Sequence, residues 1–323
     1  MGDYKDTISE IGERFVHENY ARLFRHHTVV KCERNTKIKG REKTEGADLE
    51  AAYRFSHKEK LKDEELKKIV GDMICYIIDG YLFGPIEVKT SAFEQYIAFR
   101  HKKVDKQGIL PFAIWNSNNN VGVKERQRTK LGSLYRMFYP KDATKERFPI
   151  AYVAVFMNME NVPYACLTFE NFEALKKRLI EVGRKEGLDL TEEGFNNIPC
   201  WNRENELGSP DKWARQKMKE NPELLLMGNM WYVKMSDVID LATVVLIGEP
   251  PRIVNGFNDC TEELQKARWE YLVEKSEATI PLEIDEESQI IQERRTAVFN
   301  HSMQFPAKTV ETEGHYSDLF EKG

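Results

Sequence analysis

Apolar positions in the first third of the chain follow two different periods. Over residues 7–25, TISEIGERFVHENYARLFR, the side chains Ile8, Ile11, Phe15, Tyr20, Leu23 and Phe24 recur at near-helical spacing, and Thr7 or Ser9 can cap the start. Residues 28–32 then read as a short strand and 33–47 as a polar loop. Residues 57–70, HKEKLKDEELKKIV, predict a charged helix with a narrow apolar stripe. Residues 73–78 form an apolar, partly β-branched run, followed by Asp79-Gly80. That dipeptide tolerates positive φ at both positions, so it predicts a two-residue hairpin turn into a second strand over 81–89. Pro85 bends that strand or places it at an edge. Residues 91–107 predict an amphipathic helix with Ser91 as its cap and Gly108 at its end, and 109–115 another strand.

Beyond residue 115 the pattern is less regular. Residues 150–158, IAYVAVFMN, and 164–169 predict strands, and 170–183 a helix. Residues 184–222 mix Gly, Pro, Asn and charge, which predicts loops with one short helix near 210–219. Strand-like runs over 224–247 surround Asp237 and Asp240; Glu249-Pro250-Pro251 then breaks the chain. Helices are expected over 262–274 and 286–298, and the last twenty or so residues read as mobile. We divide the chain into a core over 1–183, with a basic insertion near 118–147, and a C-terminal elaboration over 184–323 for recognition or dimerisation.

Composition narrows the class without naming an activity. The chain has 323 residues, 41% hydrophobic and 31% charged. No apolar run approaches the roughly 20 residues of a membrane span, and MGDYKDTISEIGERF lacks the apolar core of a signal peptide. Gly2 is followed at position 6 by Asp, where myristoylation expects Ser or Thr. The five cysteines are scattered, with no CxxC or Cys/His cluster, so the expectation is a reducing, cytoplasmic setting without a zinc site. The formal net charge of −5 argues against nonspecific coating of nucleic acid, but charge is unevenly spread. Between residues 121 and 147, Lys124, Arg126, Arg128, Lys130, Arg136, Lys141, Lys145 and Arg147 face only Glu125, Asp142 and Glu146.

The chemistry lies in the hairpin. Glu87 and Lys89 are two apart on a strand and so share one face, while Ile86 and Val88 face the other way. Asp72 stands at the mouth of the partner strand, where a hairpin can bring two carboxylates and one ammonium together. The order helix, strand, hairpin, helix, strand around these residues, with Asp72 and Ile86-Glu87-Val88-Lys89, resembles the core of the PD-(D/E)xK nuclease superfamily, which includes type II restriction enzymes and Holliday-junction resolvases. The resemblance covers the first third to half of the chain, and Gly71 stands where the superfamily has its proline.

The resemblance implies an α/β (α+β) fold of restriction-endonuclease type, a mixed central sheet flanked by helices with a C-terminal elaboration. It implies Mg²⁺ held by Asp72, Glu87 and the backbone carbonyl of Val88, with Lys89 holding or helping to deprotonate the attacking water. A hard cation of this kind takes oxygen ligands and retains several waters. The superfamily often adds a first-helix glutamate: Glu13 is the choice and Glu18 the alternate, since residues five apart cannot face one ion equally. Asp48, in EGADLEAAY, rivals Asp72 because it too precedes a strand-like run. Gln95 is the candidate helper on the following helix. Lys124, Arg126, Arg128 and Lys130 are expected to contact phosphates, and Asn118 and Asn119 to read base edges. Tyr135, Phe138 and Tyr139 are expected to pack rather than stack on bases. His26-His27, Cys200-Trp201 and the Asp237/Asp240 pair have no convergent partners in sequence, and no Walker-type phosphate loop is present.

The expected function is Mg-dependent hydrolysis of double-stranded DNA by a sequence-specific, restriction-type endonuclease. A homodimer is expected, since two strands need two sites, with a cognate methyltransferase as a possible partner and no membrane attachment. The alternatives are a structure-specific nuclease for branched DNA and a non-catalytic nucleic-acid-binding protein on a nuclease-like fold.

Overall fold

The computed structural model describes residues 2–24, 28–34, 49–54, 76–78, 81–91, 107–114, 132–139, 151–158, 162–198, 210–227, 229–251 and 262–282. The helices expected over 57–70 and 286–298, nearly all of the one over 91–107, the basic residues 124–130 and the tail lie outside the described residues.

Helix α1 (Gly2–Leu23) buries Ile11, Phe15 and Leu23 of the stripe expected from its apolar spacing, together with Val16. Strands β1 (Thr28–Arg34) and β2 (Leu49–Arg54) form an antiparallel pair. β3 (Tyr76–Ile78) and β4 (Tyr81–Ser91) pair antiparallel with Ile78 opposite Tyr81, the register that a two-residue turn at 79–80 requires. β6 (Ala151–Met157) lies parallel to the second half of β4, and β7 (Pro163–Phe169) antiparallel to β6. β10 (Thr243–Ile247) and β11 (Ser276–Ile280) complete a mixed sheet of order β1-β2-β4-β6-β7-β10-β11, with β3 beside β4. A smaller antiparallel sheet joins β5 (Ile109–Ala113) to β9 (Met230–Lys234) and β8 (Leu226–Met227). Strands from both sides of residue 183 thus share both sheets.

The protein is therefore a mixed α/β structure whose central sheet is covered on both faces. β6 is buried at all seven positions because neither of its faces meets water. On one face Ile86, Val88, Val153 and Val155 pack with Ile11, Phe15 and Val16 of α1. On the other, Tyr152, Ala154 and Phe156 pack with the small sheet and with α3 (Phe172–Lys185), through Phe112, Phe172, Leu175 and Leu179. Burying one such side chain is worth about 1.5–3 kcal/mol. A one-residue slip of β4 would push Glu87 and Lys89 into the apolar face of α1, which fixes the register.

Among the described residues, the remaining helices are α2 (Ser133–Phe138), α4 (Glu192–Asn196), α5 (Pro210–Glu220) and α6 (Glu262–Lys275). Tyr135, Phe138 and Tyr139 do pack: Tyr135 meets the Phe195 ring at 5.3 Å and Phe138 meets Phe172 at 6.2 Å between centroids. Two short 3₁₀ turns, Met235–Asp237 and Ile239–Leu241, interrupt the strand-like run around Asp237 and Asp240.

Candidate active site

The sequence IEVKTS occupies the second half of β4, and strand alternation sorts it. Ile86 and Val88 are buried against α1. Glu87 and Lys89 project from the opposite face, beside Tyr152 and Ala154 of β6. Lys89 Nζ donates to Glu87 Oε1 in an ion pair, the two side chains being 24% and 12% exposed, and Nζ also lies 3.4 Å from the Val88 carbonyl oxygen. A carboxylate, an ammonium and a main-chain carbonyl thus converge on one point of the sheet. The small Ala154 opposite Lys89 leaves room for the long side chain. The larger Tyr152 opposite Glu87 is held in place by its hydroxyl, which donates to Pro111 O at 3.1 Å, and by stacking on Phe112 at 5.2 Å.

The flanks of β4 differ. On one side β2 pairs with residues 81–86 and begins at Leu49, opposite Ile86. On the other, β3 pairs with Tyr81 to Phe83, and β6 takes over from Ile86 to Ser91. β6 therefore fills the side of Glu87 on which β3 lies. Among the described residues, no strand pairs with 87–91 on the β2 side.

Of the residues singled out by sequence, Glu87, Val88 and Lys89 are brought together. Glu13 is partly buried on α1, which packs against the face carrying Ile86 and Val88, opposite to that of Glu87; Glu18 is exposed on the same helix. Asp72, Asp48, Gln95, Asn118, Asn119, Lys124, Arg126, Arg128 and Lys130 lie outside the described residues. Among the described residues there is no cluster of three or more His, Cys, Asp or Glu able to hold a metal ion. Two oxygens of an oxygen-ligand set, from Glu87 and Val88, do stand together, and the adjacent ammonium offsets carboxylate charge; this suits a hard cation once a further carboxylate joins them.

Two other groups are accounted for by their surroundings, while His26-His27 and Cys200-Trp201 lie outside the described residues. Cys166 is fully buried, and burial pushes its thiol up to about 12, which keeps it from acting as a thiolate. Asp240 is held by both guanidinium nitrogens of Arg178 at 2.9 Å, and Arg178 also donates to Asp237 O at 2.6 Å. A feature that sequence reading missed is the buried Glu186, which accepts from Trp231 Nε1 at 2.8 Å. The only available signal was a glutamate after a helix otherwise ending in basic residues. No family model, curated protein or solved structure matches this chain. No helix among the described residues is long and apolar enough to cross a membrane.

Proposed function

We propose that the protein is a metal-dependent nuclease of PD-(D/E)xK type, acting on DNA, with its reaction centre at Glu87, Val88 and Lys89. The observation that carries this reading is the half-buried Lys89–Glu87 pair beside the Val88 carbonyl. A surface ion pair needs neither that burial nor that carbonyl. The mixed sheet with α1 against the ExK strand and a parallel strand beside it supports the same reading.

Glu87 and the Val88 carbonyl would hold Mg²⁺ with one further aspartate. The flanks of β4 favour Asp48 over Asp72 for that role. Leu49, the residue after Asp48 in sequence, pairs with Ile86 on the side of β4 where, among the described residues, no strand pairs with 87–91. The side on which β3 approaches is filled by β6. Bound Mg²⁺ supplies charge neutralisation at the phosphate and a more acidic water. Lys89 would orient the attacking water and stabilise the charge that develops as its oxygen bonds to phosphorus and the P–O bond to the leaving oxygen breaks, the water's proton passing to solvent and the leaving oxygen taking a proton from it. Lys124, Arg126, Arg128 and Lys130 supply phosphate contacts that a chain of net charge −5 must concentrate locally. A restriction-type homodimer acting on duplex DNA in the cytoplasm is the version we favour.

The test is digestion of mixed plasmid DNA with Mg²⁺. Discrete bands are expected for a sequence-specific enzyme. A smear points to unspecific cutting, and selective cutting of branched substrates to a structure-specific nuclease. No cleavage under any metal contradicts the enzyme reading and leaves a binding module.

A further inference from the structure

We infer that Gly12 of α1, by carrying no side chain, leaves Thr90 of β4 undisplaced and so keeps Lys89 in position, a role that rests on the nuclease reading for its consequence but not for its geometry. A glycine inside a helix weakens it, so its presence calls for a local reason. Here the reason is distance. A Cβ added to Gly12 would meet Thr90 Oγ1 at 1.9 Å, Thr90 Cβ at 3.1 Å and Thr90 Cγ2 at 3.2 Å, so its three nearest neighbours all belong to one residue. The Thr90 hydroxyl oxygen is shut off from solvent and makes no hydrogen bond among the described residues. Its seat is therefore a packing seat against the helix backbone. The β-branched side chain has few rotamers with which to escape.

Thr90 directly follows Lys89. Thr90 and Val88 face α1 while Lys89 and Glu87 face away, so a push on Thr90 from the helix rotates or lifts the strand segment carrying Lys89. Glu87 directly follows Ile86, the last position of β4 that pairs with both β2 and β6, whereas Lys89 lies three residues beyond it. Displacement at Thr90 thus changes the relation of Lys89 to Glu87 rather than moving both together. Gly12 is a positioning residue, acting through Thr90; neither faces the reaction centre.

The test compares Gly12→Ala, Thr90→Ala and the double variant by two readouts. One is Mg-dependent plasmid cleavage. The other is the position of the Lys89 ¹³C-methyl signal in methylated protein at one fixed pH, assigned with Lys89→Arg. Gly12→Ala should move the Lys89 signal and cut cleavage at least tenfold at a temperature where it is folded. Thr90→Ala, which leaves the seat unobstructed, should keep cleavage within about twofold, and adding it to Gly12→Ala should restore both readouts. A folded Gly12→Ala protein with the wild-type Lys89 signal overturns the inference, as does a folded double variant that restores neither readout. If Gly12→Ala does not fold, recovery of folded protein with the wild-type Lys89 signal in the double variant is the expected result, and its failure to fold overturns Thr90 as the obstruction. Wild-type protein that cuts no DNA, with the Lys89 signal responding as described, sinks the nuclease reading and leaves the positioning role of Gly12 standing.

Discussion

The Lys89–Glu87 pair on β4 and the Arg178–Asp240 pair between α3 and the second 3₁₀ turn are both carboxylate–cation contacts, yet they stand in opposite relations to the fold. Arg178 reaches across 62 residues of sequence, binds Asp240 with two nitrogens and takes the Asp237 carbonyl as well, so it ties a helix to a turn. Its partner Asp240 is 56% exposed. The ion pair between Lys89 and Glu87 links residues two apart on one strand and so, by itself, bridges no two elements. Yet their side chains are the more buried, 24% and 12% exposed against 32% and 56%. Burying charge costs free energy unless something answers it. We therefore take the half-buried pair within one strand as the candidate for chemistry and the exposed pair that bridges two elements as architecture.

The largest expected effect falls on the strand pair. Lys89→Ala should lower cleavage about 10²–10³-fold, the scale of removing one charge-stabilising donor, while leaving metal binding and the urea midpoint in place. Glu87→Ala should lose metal affinity and cleavage together. Asp48→Ala should behave like Glu87→Ala, and Asp72→Ala like wild type. Calorimetric titration with Mn²⁺, alongside cleavage assays, separates these outcomes; metal affinity that survives Glu87→Ala would break the comparison.

The buried Glu186 gives a control of the architectural kind. Trp231→Phe removes its indole donor and should cost about 1–3 kcal/mol in urea unfolding without changing cleavage at low temperature. A change in cleavage without lost stability would show that this contact belongs with the strand pair.

Arg178→Met should cost about 0.5–1 kcal/mol, with the loss shrinking as salt is added. A loss as large as that of Trp231→Phe, or one insensitive to salt, would mean that exposure is a poor guide to what these pairs contribute.

The smallest effect concerns Asp189. The Thr191 backbone N–H, with its side chain second, holds the Asp189 carboxyl below its ordinary value of 3.8. A carboxyl depressed in the folded state stabilises above its unfolded value and loses that contribution as pH falls through its folded value. The melting-temperature gap between wild type and Asp189→Asn should therefore be flat above about pH 5 and close at more acidic pH. A gap that widens on acidification would contradict this.

How much of this was legible depends on whether the determining contacts are local. Glu87 and Lys89 could be read because alternation in IEVKT fixes their shared face, and the hairpin could be read because Asp79-Gly80 predicts a two-residue turn, with which the pairing of Ile78 and Tyr81 agrees. The amphipathic spacing of residues 7–25 gave the buried face of α1. β2 was visible only as a strand-like run after Asp48, since its partners Ile86 to Tyr81 lie more than 25 residues away in sequence. β11, SEATI, follows α6 with no breaker between Lys275 and Ser276; its strand character comes from parallel pairing with β10, which local pattern does not carry. The five-residue α4 is capped by Thr191, accepting from Gly194 N at 3.1 Å, but it is too short to show a period. In the candidate site, the face was legible and the flanks were not, because the side of β4 taken by β6 depends on residues more than 60 positions downstream.

The most direct test of the central claim sets the two ion pairs against each other in one assay: digestion of supercoiled plasmid with Mg²⁺ by wild type, Lys89→Ala and Arg178→Met. We predict that wild type and Arg178→Met cut at the same rate, while Lys89→Ala binds the plasmid and leaves it intact. Cleavage by Lys89→Ala at the wild-type rate would contradict the account and reduce IEVKT to a strand with an ordinary ion pair.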